Sequence, residues 1–198
     1  AFNMQKQQIG IFSGSFNPVH AGHLILANYI CEFTELDEVW FVVSPHNPFK
    51  EREDLLDDDM RLEMVRLALE KYDNMIASDV ELHMPRPSYT IDTLARLTSE
   101  YPDKNFTLII GSDNWKQFPK WKESQHLIKN YQVLVYPRLG EEVVIPEELT
   151  GSVRLVEAPI VEISSTFIRE SIRNGKNMRA FLPPKVYDFI VRNGIYIC

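Results

Sequence analysis

The sequence predicts an α/β fold, an open parallel sheet with helices on both faces and a small helical part over about 160–198. Three observations lead there. Short apolar runs alternate with amphipathic stretches along the chain, the pattern of strand-helix units rather than of hairpins. The run Val39-Trp40-Phe41-Val42-Val43 is apolar at successive positions, as a strand covered on both faces must be. The first apolar run leads into Gly14-Ser15-Phe16-Asn17-Pro18 and then a helical pattern, so a tight turn joins strand to helix at the edge where such sheets bind ligands. The 198 residues suffice for a buried core and read as a single domain, 1–198.

Taken in order, Gln8–Ser13 is the first strand, and Gly22–Phe33 is a helix with Leu24, Ala27, Ile30 and Cys31 inward. Val39–Val43 is the second strand. Leu55–Asp59 supplies carboxylates suited to a helix start, and Met60–Tyr72 follows with Leu62, Val65, Leu69 and Tyr72 inward. Met75–Leu82 reads as a strand. Tyr89–Tyr101 reads as a helix with Ile91, Leu94, Ala95 and Leu97 apolar, closed by Pro102. Phe106–Ile110 is a strand ending at Gly111, Trp121–Asn130 a helix, Gln132–Tyr136 a strand and Arg154–Glu157 a short last strand. The helices Ser165–Asn174 and Pro183–Asn193 are each stopped by a glycine, Gly175 and Gly194. Pro45–Leu56 and Arg138–Gly151 have neither period and read as loops or lids beside a site. The assembled pattern is Rossmann-like.

A net charge of −7 argues against a general nucleic-acid binder, so an anionic substrate must meet cations gathered locally. No apolar stretch approaches the roughly 20 residues that span a bilayer, and Ala1–Gln8 is too polar for a signal peptide. A cytoplasmic protein with no membrane partner is expected. Cys31 and Cys198 are too few for a disulfide framework; Cys31 is expected buried and Cys198 free and exposed. His46, His83 and His126 have no metal-ligand spacing, and the acidic run Glu51–Asp59 reads as a solvated loop and helix cap, so no protein-held metal is expected.

The strongest chemical signal is the stretch from Gly10 to His23, GIFSGSFNPVHAGH, which follows a strand and opens a helix. A glycine turn admits a close backbone approach, and the helix N-terminus attracts phosphate. His20 and His23, three apart in the first helical turn, would both face that pocket as donors to a transferring phosphoryl group. The turn is neither GxGxxG nor a P-loop with GK[ST], so dehydrogenase and kinase are not the natural readings.

GSFNPVHAGH resembles the signature of the nucleotidyltransferase superfamily marked by HxGH, whose members move a nucleoside monophosphate and release pyrophosphate. Its second hallmark, a Ser/Thr-rich turn before Ile-Arg at a helix start, is matched by Ile163-Ser164-Ser165-Thr166-Phe167-Ile168-Arg169. Hydroxyls and N–H groups there suit triphosphate oxygens, and Arg169 adds a charged fork.

Over nearly the whole chain the sequence resembles bacterial nicotinate-nucleotide adenylyltransferase, through Ser44–Lys50, Ser88–Leu94, Gly111-Ser112-Asp113 and Phe118–Trp121. That resemblance implies that Gly14, Ser15, Phe16, His20, His23, Ser164, Ser165, Thr166 and Arg169 bind ATP, with His20, His23, Arg169 and Lys50 catalytic. It also implies that Lys50, Tyr89, Thr90, Asp113 and Trp121 bind the mononucleotide: Lys50 at phosphate, Tyr89 and Thr90 at the pyridine carboxylate, Asp113 at ribose hydroxyls, Trp121 stacked on the ring. Ser13 and Asn17 stand where the family often has Gly and Asp, and Phe49 precedes Lys50 where the family loop usually ends His-Lys.

The expected reaction is AMP transfer from ATP to nicotinate mononucleotide, giving deamido-NAD and pyrophosphate, with Mg2+ bridging the triphosphate. Nicotinamide mononucleotide and phosphopantetheine are the alternative acceptors. A non-catalytic nucleotide-binding regulator would be favoured by loss of either histidine or Arg169, and all three are present. The sequence leaves open whether the chain forms a homo-oligomer.

Overall fold

The computed structural model describes residues 5–48 and 54–197. Its centre is a sheet of six strands, β1 (Gln7–Gly14), β2 (Glu38–Val43), β3 (Met75–Ser78), β4 (Lys104–Gly111), β5 (Gln132–Tyr136) and β6 (Val153–Leu155), in the order β3-β2-β1-β4-β5-β6. Every pairing is parallel. The chain builds outward from β1 in one direction and from β4 in the other, so the topological switch lies between them. A ligand crevice is expected at the C-terminal ends of those two strands.

The helices are α1 (Ala21–Phe33), α2 (Asp58–Leu69), α3 (Thr90–Glu100), α4 (Ser112–Gln117), α5 (Ser124–Asn130), α6 (Ser165–Arg173) and α7 (Pro184–Arg192). The period of two along each strand divides the core between the two faces of the sheet. Phe12, Val39, Phe41, Val43, Ile109 and Leu134 pack with α1, α2, α6 and α7. Ile9, Ile11, Trp40, Val42, Phe106, Leu108, Ile110, Val133 and Val135 pack with α3 and α5. Phe41 and Val42, adjacent and both 0% exposed, are buried on opposite faces. Each such side chain contributes about 1.5–3 kcal/mol by leaving water. Gly10 lets α1's side of the sheet close up, since a Cβ there would stand 2.6 Å from Ile109 and 2.8 Å from Leu36.

Several elements differ from expectation for local reasons. The α2 helix starts at Asp58, putting Asp58 and Asp59 at its positive end, and stops at Leu69. Tyr72 therefore lies in the following turn, its N–H bonded to Leu69 O and its ring exposed. Strand β3 ends at Ser78, whose hydroxyl accepts from Val80 N (3.4 Å), and a 3-10 turn over Val80–His83 replaces the rest of the expected strand. On α3, Thr93 is buried and Ala95 exposed, one position beyond the apolar stripe.

The expected helix Trp121–Asn130 begins only at Ser124. Before it, Phe118–Lys120 forms a 3-10 turn with Pro119 in it, Trp121 is extended, and Glu123 takes a left-handed φ of 51°. The short α4 was not legible in the pattern. Strand β6 is shifted to Val153–Leu155. Leu24 and Cys31 are only half-buried, Leu26 taking the inner position instead, and the Cys31 thiol reaches Asn74 O at 3.5 Å. Burial pushes that thiol up to about 11, so it stays protonated. Cys198 lies outside the described residues. Gly175 and Gly194 end α6 and α7 with φ of +73° and +57°, a left-handed stop that glycine adopts without strain.

Candidate active site

The turn after β1 is held from beneath by a charge. Arg61 on α2 is 0% exposed; its Nη1 donates to Ser15 O (2.7 Å) and Ser44 O (2.8 Å), its Nε to Leu56 O (2.8 Å), and it pairs with Asp58. These partners compensate its desolvation and tie the turn to the segment after β2. Sequence reasoning missed Arg61; its one signal was an arginine on the inner stripe of an amphipathic helix. Within the turn, Phe16 at φ 49° buries its ring edge-on to Phe12 (5.6 Å) and His23 (5.0 Å).

His20 and His23 orient each other. His20 is the N-cap of α1, and its Nδ1 accepts the Gly22 N–H at 3.1 Å. His23 Nδ1 accepts the His20 N–H at 3.1 Å, and the two rings stack at 3.7 Å and 23°. Both satisfy helix N-terminal donors as a histidine version of the capping box. Gly22 is required by this packing: a Cβ there would stand 2.9 Å from His20 Cε1 and 3.0 Å from Nδ1.

Because both Nδ1 atoms accept, each neutral ring carries its proton on Nε2. Burial, helped by the Arg138 charge, pushes His20 down to about 4. Burial, then His20 and Arg138, holds His23 well below the usual histidine range. Buried in this way, the rings are neutral donors, and the positive charge near the cleft comes from arginine.

An open cleft of about 200 Å³ lies at the C-terminal ends of β1 and β5. Gly14, Ser15, Phe16, His23 and Ser165 line it as expected, with residues 159–162, Tyr136 and Arg138. His20, 4% exposed, does not line it and reaches it only as the stacked partner of His23. Ser165 Oγ donates to Pro18 O (2.9 Å), and Ser164 Oγ caps α6 by accepting from Phe167 N (3.0 Å). Arg169 Nη1 donates to Asn17 O (2.8 Å) and Nη2 reaches Thr166 Oγ1 (3.4 Å), while Nε is buried without a partner. Thr166 thus serves Arg169 as an acceptor. Arg138, which the sequence marked only as a loop start, is anchored by its N–H to the buried Ser112 hydroxyl (2.8 Å) and presents its charge to the cleft.

The residues assigned to the mononucleotide stand apart from this cleft lining. Tyr89 is the N-cap of α3, exposed, with Lys122 Nζ 4.5 Å above its ring; Lys122 also meets Asp92 at 3.3 Å. Thr90 opens the helix. Trp121 packs on Phe118 at 5.2 Å and is half-buried. Under this group sits Glu81, 6% exposed, accepting from Ser88 Oγ (2.9 Å). Burial raises its carboxyl while hydrogen bonds from Ser88, Thr93 and Ser44 oppose the rise, so one group links the ends of β2 and the start of α3. Asp113 folds back toward Gly111, where a Cβ would meet its Oδ1 at 2.6 Å and the Tyr136 ring at 3.1 Å. Lys50 lies outside the described residues. Among the described residues no group of three or more His, Cys, Asp or Glu could hold a metal ion, and no helix is long and apolar enough to cross a membrane.

Known proteins resemble this chain closely. The cytidylyltransferase-like family model matches residues 11–171. A Bacteroides fragilis protein named probable nicotinate-nucleotide adenylyltransferase is 56% identical over 189 residues, covering 96% of this chain and 94% of its own length. A Flavobacterium johnsoniae protein of the same name is 47% identical over 193 residues, covering 96% and 98%. Among solved structures, Plasmodium falciparum nicotinic acid mononucleotide adenylyltransferase complexed with NaAD superposes with a TM-score of 0.79 at 20% identity, over 96% of this chain and 97% of that one. That likeness speaks for the fold.

Proposed function

The chain belongs to the cytidylyltransferase-like family and within it to the nicotinate-nucleotide adenylyltransferases, and from that premise we propose that its site moves AMP from ATP to nicotinate mononucleotide, giving deamido-NAD and pyrophosphate. One observation in the structure carries the chemistry: two neutral histidines, fixed by the backbone of their own helix start, beside a cleft that also receives Arg138.

The acceptor phosphate monoester is largely ionised at neutral pH and attacks the α-phosphorus in line, so no protein base is needed. Catalysis is positioning and charge stabilisation. His23 offers Nε2–H to the α-phosphate, and His20 holds that ring by stacking. Arg138, Arg169 and Ser165 gather the leaving pyrophosphate, and Lys50 serves the mononucleotide phosphate. A permanently charged arginine suits charge already present on the triphosphate, whereas a neutral N–H donor suits charge that develops at the transferring group. Tyr89, Thr90 and Trp121 take the pyridine ring, and Asp113 the ribose. Magnesium enters with the triphosphate as part of the substrate, ligated mostly by phosphate oxygens and water. A cytoplasmic setting, where ATP is available, belongs to the same proposal.

The test uses ATP radiolabelled at the α-phosphate with nicotinate mononucleotide and magnesium. Label is expected in the dinucleotide product and not in pyrophosphate. Label released only as free AMP would make the protein a hydrolase and overturn the transfer.

A further inference from the structure

The segment after α7 plays no part in the reaction as described, yet it reaches the nucleotide turn. Ile195 is 4% exposed and anchors it, and Tyr196, held at φ 64°, donates its hydroxyl to Asn17 Oδ1 at 2.6 Å. Asn17 is 3% exposed and joins four segments. Its Oδ1 also accepts from Leu56 N (3.4 Å), its Nδ2 donates to Asp54 O (2.8 Å), and its carbonyl accepts from Arg169 Nη1 (2.8 Å). Asp54 is pinned in turn by Arg173 on α6 (2.8 Å).

This arrangement decides two things. The Asn17 amide has one satisfied orientation, because flipping it would set its NH2 against the Leu56 N–H, donor against donor, and its Oδ1 against the Asp54 carbonyl, acceptor against acceptor. The Arg169 fork is held by a neutral carbonyl and a hydroxyl; among the described residues no carboxylate pairs with it, so its charge is left for an anion. Burial pushes the Tyr196 hydroxyl pKa upward against the opposing pull of Arg169 and Arg61, so the group remains a donor.

We propose that Tyr196 is a positioning residue for the adenylyl transfer: its hydroxyl locks Asn17, which aims Arg169 at the triphosphate and holds residues 54–56 against the nucleotide turn. This rests on the function proposed above. It assigns the segment beyond α7 to the active site rather than to the core alone.

Tyr196→Phe keeps the ring and removes only the hydroxyl. We expect kcat to fall about tenfold and KM for ATP to rise more than KM for the mononucleotide, at a temperature well below the melting midpoint of both proteins. The deciding measurement is a double-mutant cycle with Arg169→Ala, in which Tyr196→Phe should cost less than about twofold further. Wild-type kcat and KM in Tyr196→Phe would overturn the proposal, as would the same tenfold loss in the Arg169→Ala background. Either result with an active wild type leaves the function standing, whereas a wild type that transfers no AMP removes both.

Discussion

Gly22→Ala separates the stability of the histidine turn from its chemistry. The added Cβ would lie 2.9 Å from His20 Cε1, against ordinary contact beginning at 3.4 Å, so the ring must retreat by half an ångström. It has nowhere free to go: one face stacks on His23 at 3.7 Å, and its Nδ1 is bonded to Gly22 N at 3.1 Å. Moving it drags His23, whose Nδ1 is held by the His20 N–H. Displacement on this scale costs on the order of 10-fold to 100-fold in turnover. The same substitution favours the first turn of α1 by up to about 1 kcal/mol through helix propensity, offsetting the strain, so the melting midpoint should move by only a few degrees. Pyrophosphate release gives kcat and thermal melting gives the midpoint, with His20→Ala as the yardstick for full loss of the ring. Turnover in Gly22→Ala equal to wild type would refute the steric account of the motif. So would an activity loss that merely tracked unfolding.

Three further outcomes follow from the same geometry. His20, pushed from 6.5 to about 4 by burial, binds its proton less well folded than unfolded, so its contribution is present above about pH 6.5 and is lost as pH falls toward 4. That contribution is about 3 kcal/mol, and urea midpoints at about pH 7 and pH 4.5 should diverge by less in His20→Asn, which keeps a capping side chain, than in wild type; equal divergence would contradict it. Arg61→Met should destabilise by about 3–5 kcal/mol, because Asp58, Ser15 O and Ser44 O lose their buried partner; a denaturation midpoint within about 1 kcal/mol of wild type would place the turn's support elsewhere. Trp121→Ala should raise KM for the pyridine nucleotide more than KM for ATP, and an equal rise for both would assign Trp121 to packing on Phe118.

What the sequence made legible was the part whose chemistry is local. The HxGH turn, its strand and its helix are contiguous, so their roles follow from spacing, and alternating apolar runs suffice for a parallel sheet. The order of the strands is set by long-range pairing that no short window contains. Trp121 was placed inside a helix because Trp121–Asn130 carries enough apolar residues for one; Pro119 and the left-handed Glu123 decide otherwise. Arg61 and Arg138 escaped notice for opposite reasons. Arg61 stands on the inner stripe of an amphipathic helix, where its charge disguises that it is wholly buried, and Arg138 looked like a loop residue but meets Tyr136 at the cleft. The neutrality of the histidines was illegible because burial depends on partners such as Phe12 and Phe16 whose contacts are tertiary.

The central claim, adenylyl transfer to a pyridine mononucleotide bearing a carboxylate, is tested most directly by pyrophosphate release with ATP and magnesium, comparing nicotinate with nicotinamide mononucleotide. The account predicts rapid release with the nicotinate form and a kcat/KM at least about tenfold lower with the amide, a difference of roughly 1.4 kcal/mol in transition-state binding. Equal use of the two would contradict the assigned acceptor, and release with neither would contradict the transfer itself.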